Sequence, residues 1–384
     1  MNRRRLMRLT GGLVLGTAAS AAGLPRAPER ADAESFLRRM FVPGLAADGE
    51  PEPRPTLRQV ADQVPFRLGT QAAYLFAGGP SVQQQIPRHF NMLGLELYMQ
   101  FPPNPGIHPQ RDTYLFNWPD FVVGWAASKG MTVHGGNLAW GTNAGYTRFT
   151  PDWVKTAPTR NDAIAILTEW VSALVARYPQ VLTWTIVNEP WSHGSRDIWR
   201  EKIGDDYPFV AAKAARSANP NAALILNDYD NHMATPTADS NLDLASRMVA
   251  DGLLDGVGFQ MHLDAKSPDS LKKDDVKRNL ARFAKLKGGA FKLMVTEFDV
   301  NLHGYPGTTA ERWVHQARIY QAMLEALLES GGTEFAIMGN TDELSWLTGL
   351  PTGGVDSEGT PFMADWTPKP AYAAIYDVLR RRSN

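Results

Sequence analysis

From Phe66 onward, two hydrophobic patterns take turns along the chain. Short apolar runs of strand length, bounded by Gly, Pro, Asn or Asp, read as buried strands, and longer segments between them carry apolar residues at helical spacing. The runs are FRLGTQAA from Phe66, LGLELYMQF from Leu93, MTVHGGNLAW from Met131, VLTWTIVNE from Val181, AALILNDYD from Ala222, GVGFQMHL from Gly256, KLMVTEFDV from Lys292 and FAIMGNTD from Phe335. Between them, Asp162 to Tyr178 sets Ile164, Leu167, Val171, Leu174 and Tyr178 on one helical face with Asp162 as the cap, and Thr309 to Leu328 aligns Trp313, Ala317, Tyr320, Leu324 and Leu327. Eight such strand–helix units without a compositional break predict an α/β fold, a single (β/α)8 TIM barrel, with a doubly wound open sheet as the alternative.

Several runs break their own rule at the end. In TWTIVNEPW, Thr183 to Trp191, the apolar Trp184, Ile186 and Val187 lead to Asn188 and Glu189, ahead of a proline that cannot extend a central strand. Other runs likewise close on polar or aromatic groups: Glu96, Trp140, Asn227 with Asp228 and Tyr229, Gln260 with His262, Glu297 with Asp299, and Asp342. In a barrel of this kind chemistry sits at the C-terminal ends of the strands, so a strand can be apolar along its length and present its last residues to a cleft.

Composition narrows what the cleft takes. A net charge of -1 offers no basic face for nucleic acid and no acidic tail for a charged partner, so a neutral substrate suits the chain. Cysteine is absent, which removes disulfides, thiolate metal sites and cysteine nucleophiles together. The 11 tryptophans serve both as core residues and as faces on which sugar rings stack. The first residues, MNRRRLMRLTGGLVLGTAASAAGLPRA, read as an export signal over 1–27, with a basic start and an apolar stretch too short for a transmembrane helix. Residues Asn2 to Arg8 resemble the twin-arginine pattern, which makes the twin-arginine export machinery a partner. A tether over 28–60 and a catalytic domain over 61–384 follow, in a protein expected to be periplasmic or secreted, with no stable membrane insertion after signal removal.

Two strand-end glutamates, Glu189 on the fourth strand and Glu297 on the seventh, suggest glycoside hydrolysis by a carboxyl pair. In retaining enzymes such a pair lies about 5 to 5.5 Å apart, one carboxylate attacking the anomeric carbon while the other protonates the leaving oxygen and then activates water. Glu189 fits the acid/base and Glu297 the nucleophile. Residues two apart on a strand face the same way, so His262 of QMH and Asp299 of EFD stand where His262 can bridge Glu297 and Asp299, and Asn188 suits a sugar 2-hydroxyl. A metal site on His262, Glu297 and Asp299 is the chemical competitor, but it lacks a second clustered histidine, and no phosphate-binding glycine loop follows any strand. No cofactor is expected; the partner is a polysaccharide or oligosaccharide substrate.

These residues resemble glycoside hydrolase family 10, the retaining endo-β-1,4-xylanases. WTIVNE is similar to the family's acid/base strand with Thr185 where Asp is usual, VTEFDV to its nucleophile strand, and LNDYD, GVGFQMHL, GNTDELSW and KPAY follow in order. The resemblance implies that Glu189 is the acid/base and Glu297 the nucleophile. It further implies that Asn188, Gln260, His262 and Trp346 line the subsite of the cleaved sugar, Trp140 forms an aromatic wall, Glu96 and Tyr229 bind substrate, and Asp299 supports. Leu97 and Gln100 stand where Asn and Lys bind the next sugar, Gly136 and Gly141 where the family has histidines, and Met338 where it has Trp. The expected consequence is a glycone pocket wider and poorer in donors, hence a divergent enzyme acting on xylan or a related β-glycan. The alternatives are a hydrolase of another bacterial exopolysaccharide and a non-catalytic glycan-binding relic.

Overall fold

The computed structural model describes residues 55–75, 78–95, 107–141, 152–191, 197–349, 353–354 and 356–383. The export signal, the tether up to residue 54, and Glu96, Leu97 and Gln100 lie outside the described residues. Among the described residues no helix is long and apolar enough to cross a membrane.

Eight parallel strands close into a barrel in chain order: β1 (Arg67–Gln71), β2 (Met92–Gly94), β3 (Thr132–Gly135), β4 (Thr183–Asn188), β5 (Ala223–Tyr229), β6 (Gly256–Asp264), β7 (Lys292–Asn301) and β8 (Glu334–Ile337), with β8 paired to β1. Closure excludes the open sheet. Each run is apolar almost throughout because a barrel strand is covered on both sides, by helices outside and by the other strands within. Trp170, Trp184, Trp199, Tyr320, Phe259, Phe283 and Phe298 are fully buried in the main core; large apolar side chains of this kind each stabilise the fold by roughly 2–3 kcal/mol. A separate trio, Ala223, Ile225 and Met294, packs inside the barrel.

The helices start where capping chemistry directs. The expected cap Asp162 is the third residue inside the helix Arg160–Arg177: Thr159 caps it, accepting from Asp162 N while the Asp162 carboxylate accepts from Thr159 N, both at 3.2 Å. Thr308 and Glu311 repeat this box at the helix Thr309–Glu329. Leu57 and Val60, of the helix Leu57–Ala61, are buried in the main core, so packing begins ahead of the expected boundary at residue 61.

Two register shifts change which side chains face into the barrel. Between β4 and β5 the pairing passes from Thr185 to Val187, and between β6 and β7 it passes from Val295 to Glu297, leaving Ile186 and Thr296 as extra residues. A bulge of this kind changes the phase of the side chains along a strand. Thr183 and Thr185 face inward, donating or accepting with Arg67 and His134, and after the shift Asn188 also faces inward. On β7 the same device turns both Thr296 and Glu297 to one side, where both meet Asn227.

Candidate active site

At the C-terminal ends of β4 to β7 the inward side chains form one hydrogen-bonded frame around two carboxylates. Glu189 follows β4 with φ 53°. Residues other than glycine seldom take this left-handed conformation, and its backbone N–H, donating 2.8 Å to Asn227 O, helps to hold it there. The turn ends the strand and leaves the side chain 6% exposed at the barrel mouth. Trp140 Nε1 donates to Glu189 Oε2 at 3.1 Å and Gln260 Nε2 to Glu189 Oε1 at 3.1 Å.

Glu297 is equally buried, at 6% exposure, and is held through both oxygens. Asn227 Nδ2 donates to Oε1 at 3.0 Å, and His262 Nε2 lies 3.2 Å from Oε2. His262 Nδ1 is 3.0 Å from Asp299 Oδ2, which also accepts from Trp346 Nε1 at 2.6 Å, and the Trp346 indole meets the imidazole edge-on. Burial alone would lower the His262 pKa, but the Asp299 charge and the hydrogen bonds to Asp299 and Glu297 outweigh it and raise the value well above 6.5. Both ring nitrogens are thus engaged by carboxylates, so neither offers a lone pair to a metal ion.

Because His262 binds its proton more tightly folded than unfolded, its contribution to stability is complete below its unfolded pKa, about 6.5, and is lost as pH rises through the raised folded value. His262→Gln should therefore lower the melting temperature most near pH 6, with the gap to wild type narrowing toward alkaline pH. Melting curves from pH 5.5 to 10 check this, and a pH-independent gap would mean that His262 contributes through packing alone.

Asn227 joins the two halves. Its Nδ2 donates to Glu297 and, at 2.8 Å, to Asn188 Oδ1, which also accepts from Gln260 Nε2 at 3.2 Å. Thr296 Oγ1 donates to Asn227 Oδ1 at 2.5 Å and thereby sets the amide's orientation. Asn188 Nδ2 is buried and has no hydrogen-bond partner, which leaves its N–H groups as donors for a ligand oxygen.

The structure thus brings Trp140, Asn188, Glu189, Gln260, His262, Glu297, Asp299 and Trp346 into one site. Tyr229 stands at the end of β5, opposite Gln260 in the ladder. Glu96 lies outside the described residues. Asp342 serves elsewhere: it accepts from the buried Lys369 Nζ at 2.9 Å and from Thr360 N at 3.0 Å, anchoring the C-terminal segment. Strand-end reasoning gave Asn227 no role, and Thr296 carried no sequence signal, because under strict alternation Thr296 and Glu297 would face opposite ways.

The two glycines that replace histidines do not open the expected extra room. A side-chain carbon on Gly136 would lie 2.7 Å from Thr185 Cβ, and one on Gly141 would collide with Asp197, which is fixed by the backbone N–H groups of Trp199 and Arg200 and by the Tyr207 hydroxyl. Thr185 and Asp197 occupy that space.

Compared with known families, the chain matches Glycosyl hydrolase family 10 over residues 56–378. An endo-1,4-beta-xylanase B of Thermotoga neapolitana is 28% identical over 338 residues, covering 85% of this chain and 92% of that protein. Among solved structures, xylanase 10B of Thermotoga petrophila RKU-1 in complex with xylobiose superposes with a TM-score of 0.77 at 27% identity, covering 87% of this chain and 99% of the other. Native xylanase 10B of Thermotoga maritima gives 0.75 at 27% identity, covering 85% and 99%.

Proposed function

The chain belongs to glycosyl hydrolase family 10, and from that premise we propose that it is a retaining glycoside hydrolase of β-1,4-linked xylan or a related β-glycan, with Glu297 as nucleophile and Glu189 as acid/base. The observation that carries this reading is the frame itself: two buried carboxylates at the ends of β4 and β7, each gripped at both oxygens, with a spare donor on Asn188 beside Glu189. The likeness to a xylanase structure that holds xylobiose supports the substrate class.

In the first step a Glu297 oxygen attacks the anomeric carbon while Glu189 gives its proton to the departing glycosidic oxygen, so one C–O bond forms as the other breaks. In the second step Glu189, now a carboxylate, takes a proton from water; the resulting hydroxide displaces Glu297 and returns the anomeric carbon to its original configuration. His262 and Asn227 aim Glu297, and Trp140 and Gln260 aim Glu189. Asn188 Nδ2 serves the sugar 2-hydroxyl, a contact that strengthens as positive charge develops on the ring. Glu96 and Tyr229 complete the binding residues of this proposal. The basic and apolar pattern of residues 1–27 supports export through the twin-arginine machinery to the periplasm or medium, with a tether that ends before the helix Leu57–Ala61 and the catalytic domain from that helix onward.

Incubation with linear xylan, substituted xylans and bacterial β-glycans, followed by chromatography of the products, tests the reading. Short oligosaccharides released from at least one β-1,4-linked xylan are expected. Binding without any released product would instead identify a glycan-binding protein.

A further inference from the structure

The barrel interior holds a pocket walled on one side by Glu297 and elsewhere by Gln71 of β1, His134 of β3, Asn137, Thr185 of β4 and Glu334 of β8. Its room for a water-sized body is about 20 Å³, enough for one small polar group. Most of the polar lining is already engaged. His134 lies between Glu334 and Thr185, with its Nε2 3.0 Å from Thr185 Oγ1, and Arg67 also pairs with Glu334. Glu334 Oε2 has the Arg67 ion pair but no hydrogen bond, and two other wall atoms have neither. Gln71 Oε1 and Asn137 Nδ2 are buried without a hydrogen-bond partner, on side chains of residues 6% and 5% exposed. The Gln71 amide is oriented by its own donation, since Nε2 gives its hydrogen to Thr296 O at 3.2 Å and so leaves Oε1 as the spare acceptor.

One acceptor and one donor on the walls of a pocket sized for a single group match a hydroxyl, which donates once and accepts readily. Resting on the hydrolase reading above, we infer that Gln71 and Asn137 are specificity-determining residues of the sugar subsite: Gln71 Oε1 accepts from, and Asn137 Nδ2 donates to, one free hydroxyl of the glycone. Both groups stand at the C-terminal ends of their strands, Gln71 closing β1 and Asn137 following β3. A pocket of this size suits an unsubstituted hydroxyl.

The test pairs each residue with each hydroxyl. Wild type, Gln71→Met and Asn137→Ala are assayed on an aryl β-xylobioside and on its derivatives lacking one hydroxyl of the glycone ring in turn, with melting curves as the check on folding. For wild type, one deoxy derivative is expected to lose about tenfold or more in kcat/KM, in the range of one hydrogen bond. Each variant should lose a similar factor on the parent substrate and nothing further on that same derivative. Equal losses by the variants on the parent and on every derivative, or no loss at all, would overturn the assignment and leave Gln71 and Asn137 holding a structural water. Should one variant fail to fold, the other decides alone, because the two residues lie on different elements. A wild type that cleaves none of these glycosides fails the hydrolase reading itself, whereas an active wild type without the coupling fails only this inference.

Discussion

Glu297→Ala is expected to lower turnover of every glycoside by at least about 10⁴-fold, because removing a nucleophile eliminates the covalent route whatever the leaving group. The structure adds reasons for the size of the effect. Both oxygens are held in place for attack, by Asn227 and His262, and the nearby Asp299 carboxylate is itself tied to His262 and Trp346. Initial rates on aryl glycosides measure the loss. The companion experiment is proton NMR of wild-type hydrolysis, in which the β-anomer should appear first and the α-anomer only later by mutarotation. With Glu297→Ala, added azide should give an α-glycosyl azide by direct displacement. An α-anomer as the first wild-type product would show that Glu297 is not the nucleophile.

Glu189→Ala should separate substrates by their leaving groups. Protonation matters when the departing oxygen is a sugar hydroxyl and hardly at all when it is an acidic phenol, so cleavage of natural glycans is expected to fall by about 10²–10⁴-fold while dinitrophenyl glycosides still form the glycosyl-enzyme. That intermediate then accumulates for want of a base, and azide, which needs none, should restore turnover and yield a β-glycosyl azide. Burst kinetics with and without azide read both effects. The position of Glu189 makes the loss local to the acid: its left-handed backbone is held by Asn227 O and its carboxylate by Trp140 and Gln260, which also serve other parts of the site. Equal losses on both substrate types, unrelieved by azide, would make Glu189 a structural residue.

Much of this site was readable from short segments. QMH and EFD place His262 and Asp299 by simple alternation, and the ladder pairs Gln260 with Glu297 and His262 with Asp299. The run ending in Asn188 and Glu189 pointed to a cleft because a buried strand that closes on an acid needs a reason. The substitutions at 136 and 141 misled for a related cause: a glycine in a sequence signals a missing side chain, but not whether Thr185 or Asp197 has filled its place.

By itself, then, the sequence determined the eight strands, their alternation with helices and the strand ends that carry polar groups, since these follow from apolar periodicity and burial along continuous stretches of chain. Only the tertiary structure decided which of those ends converge and how. The extra residues Ile186 and Thr296 bring Asn188 and Glu297 inward against the strict alternation of a strand, and Asn227, fixed by Thr296 Oγ1, connects them across three strands. The spare atoms of Gln71 and Asn137 likewise emerge only when closure of the barrel brings the ends of β1 and β3 to one pocket. Such contacts depend on the register that closure of the barrel imposes on residues far apart in the chain, and local patterns of hydrophobicity carry no record of it.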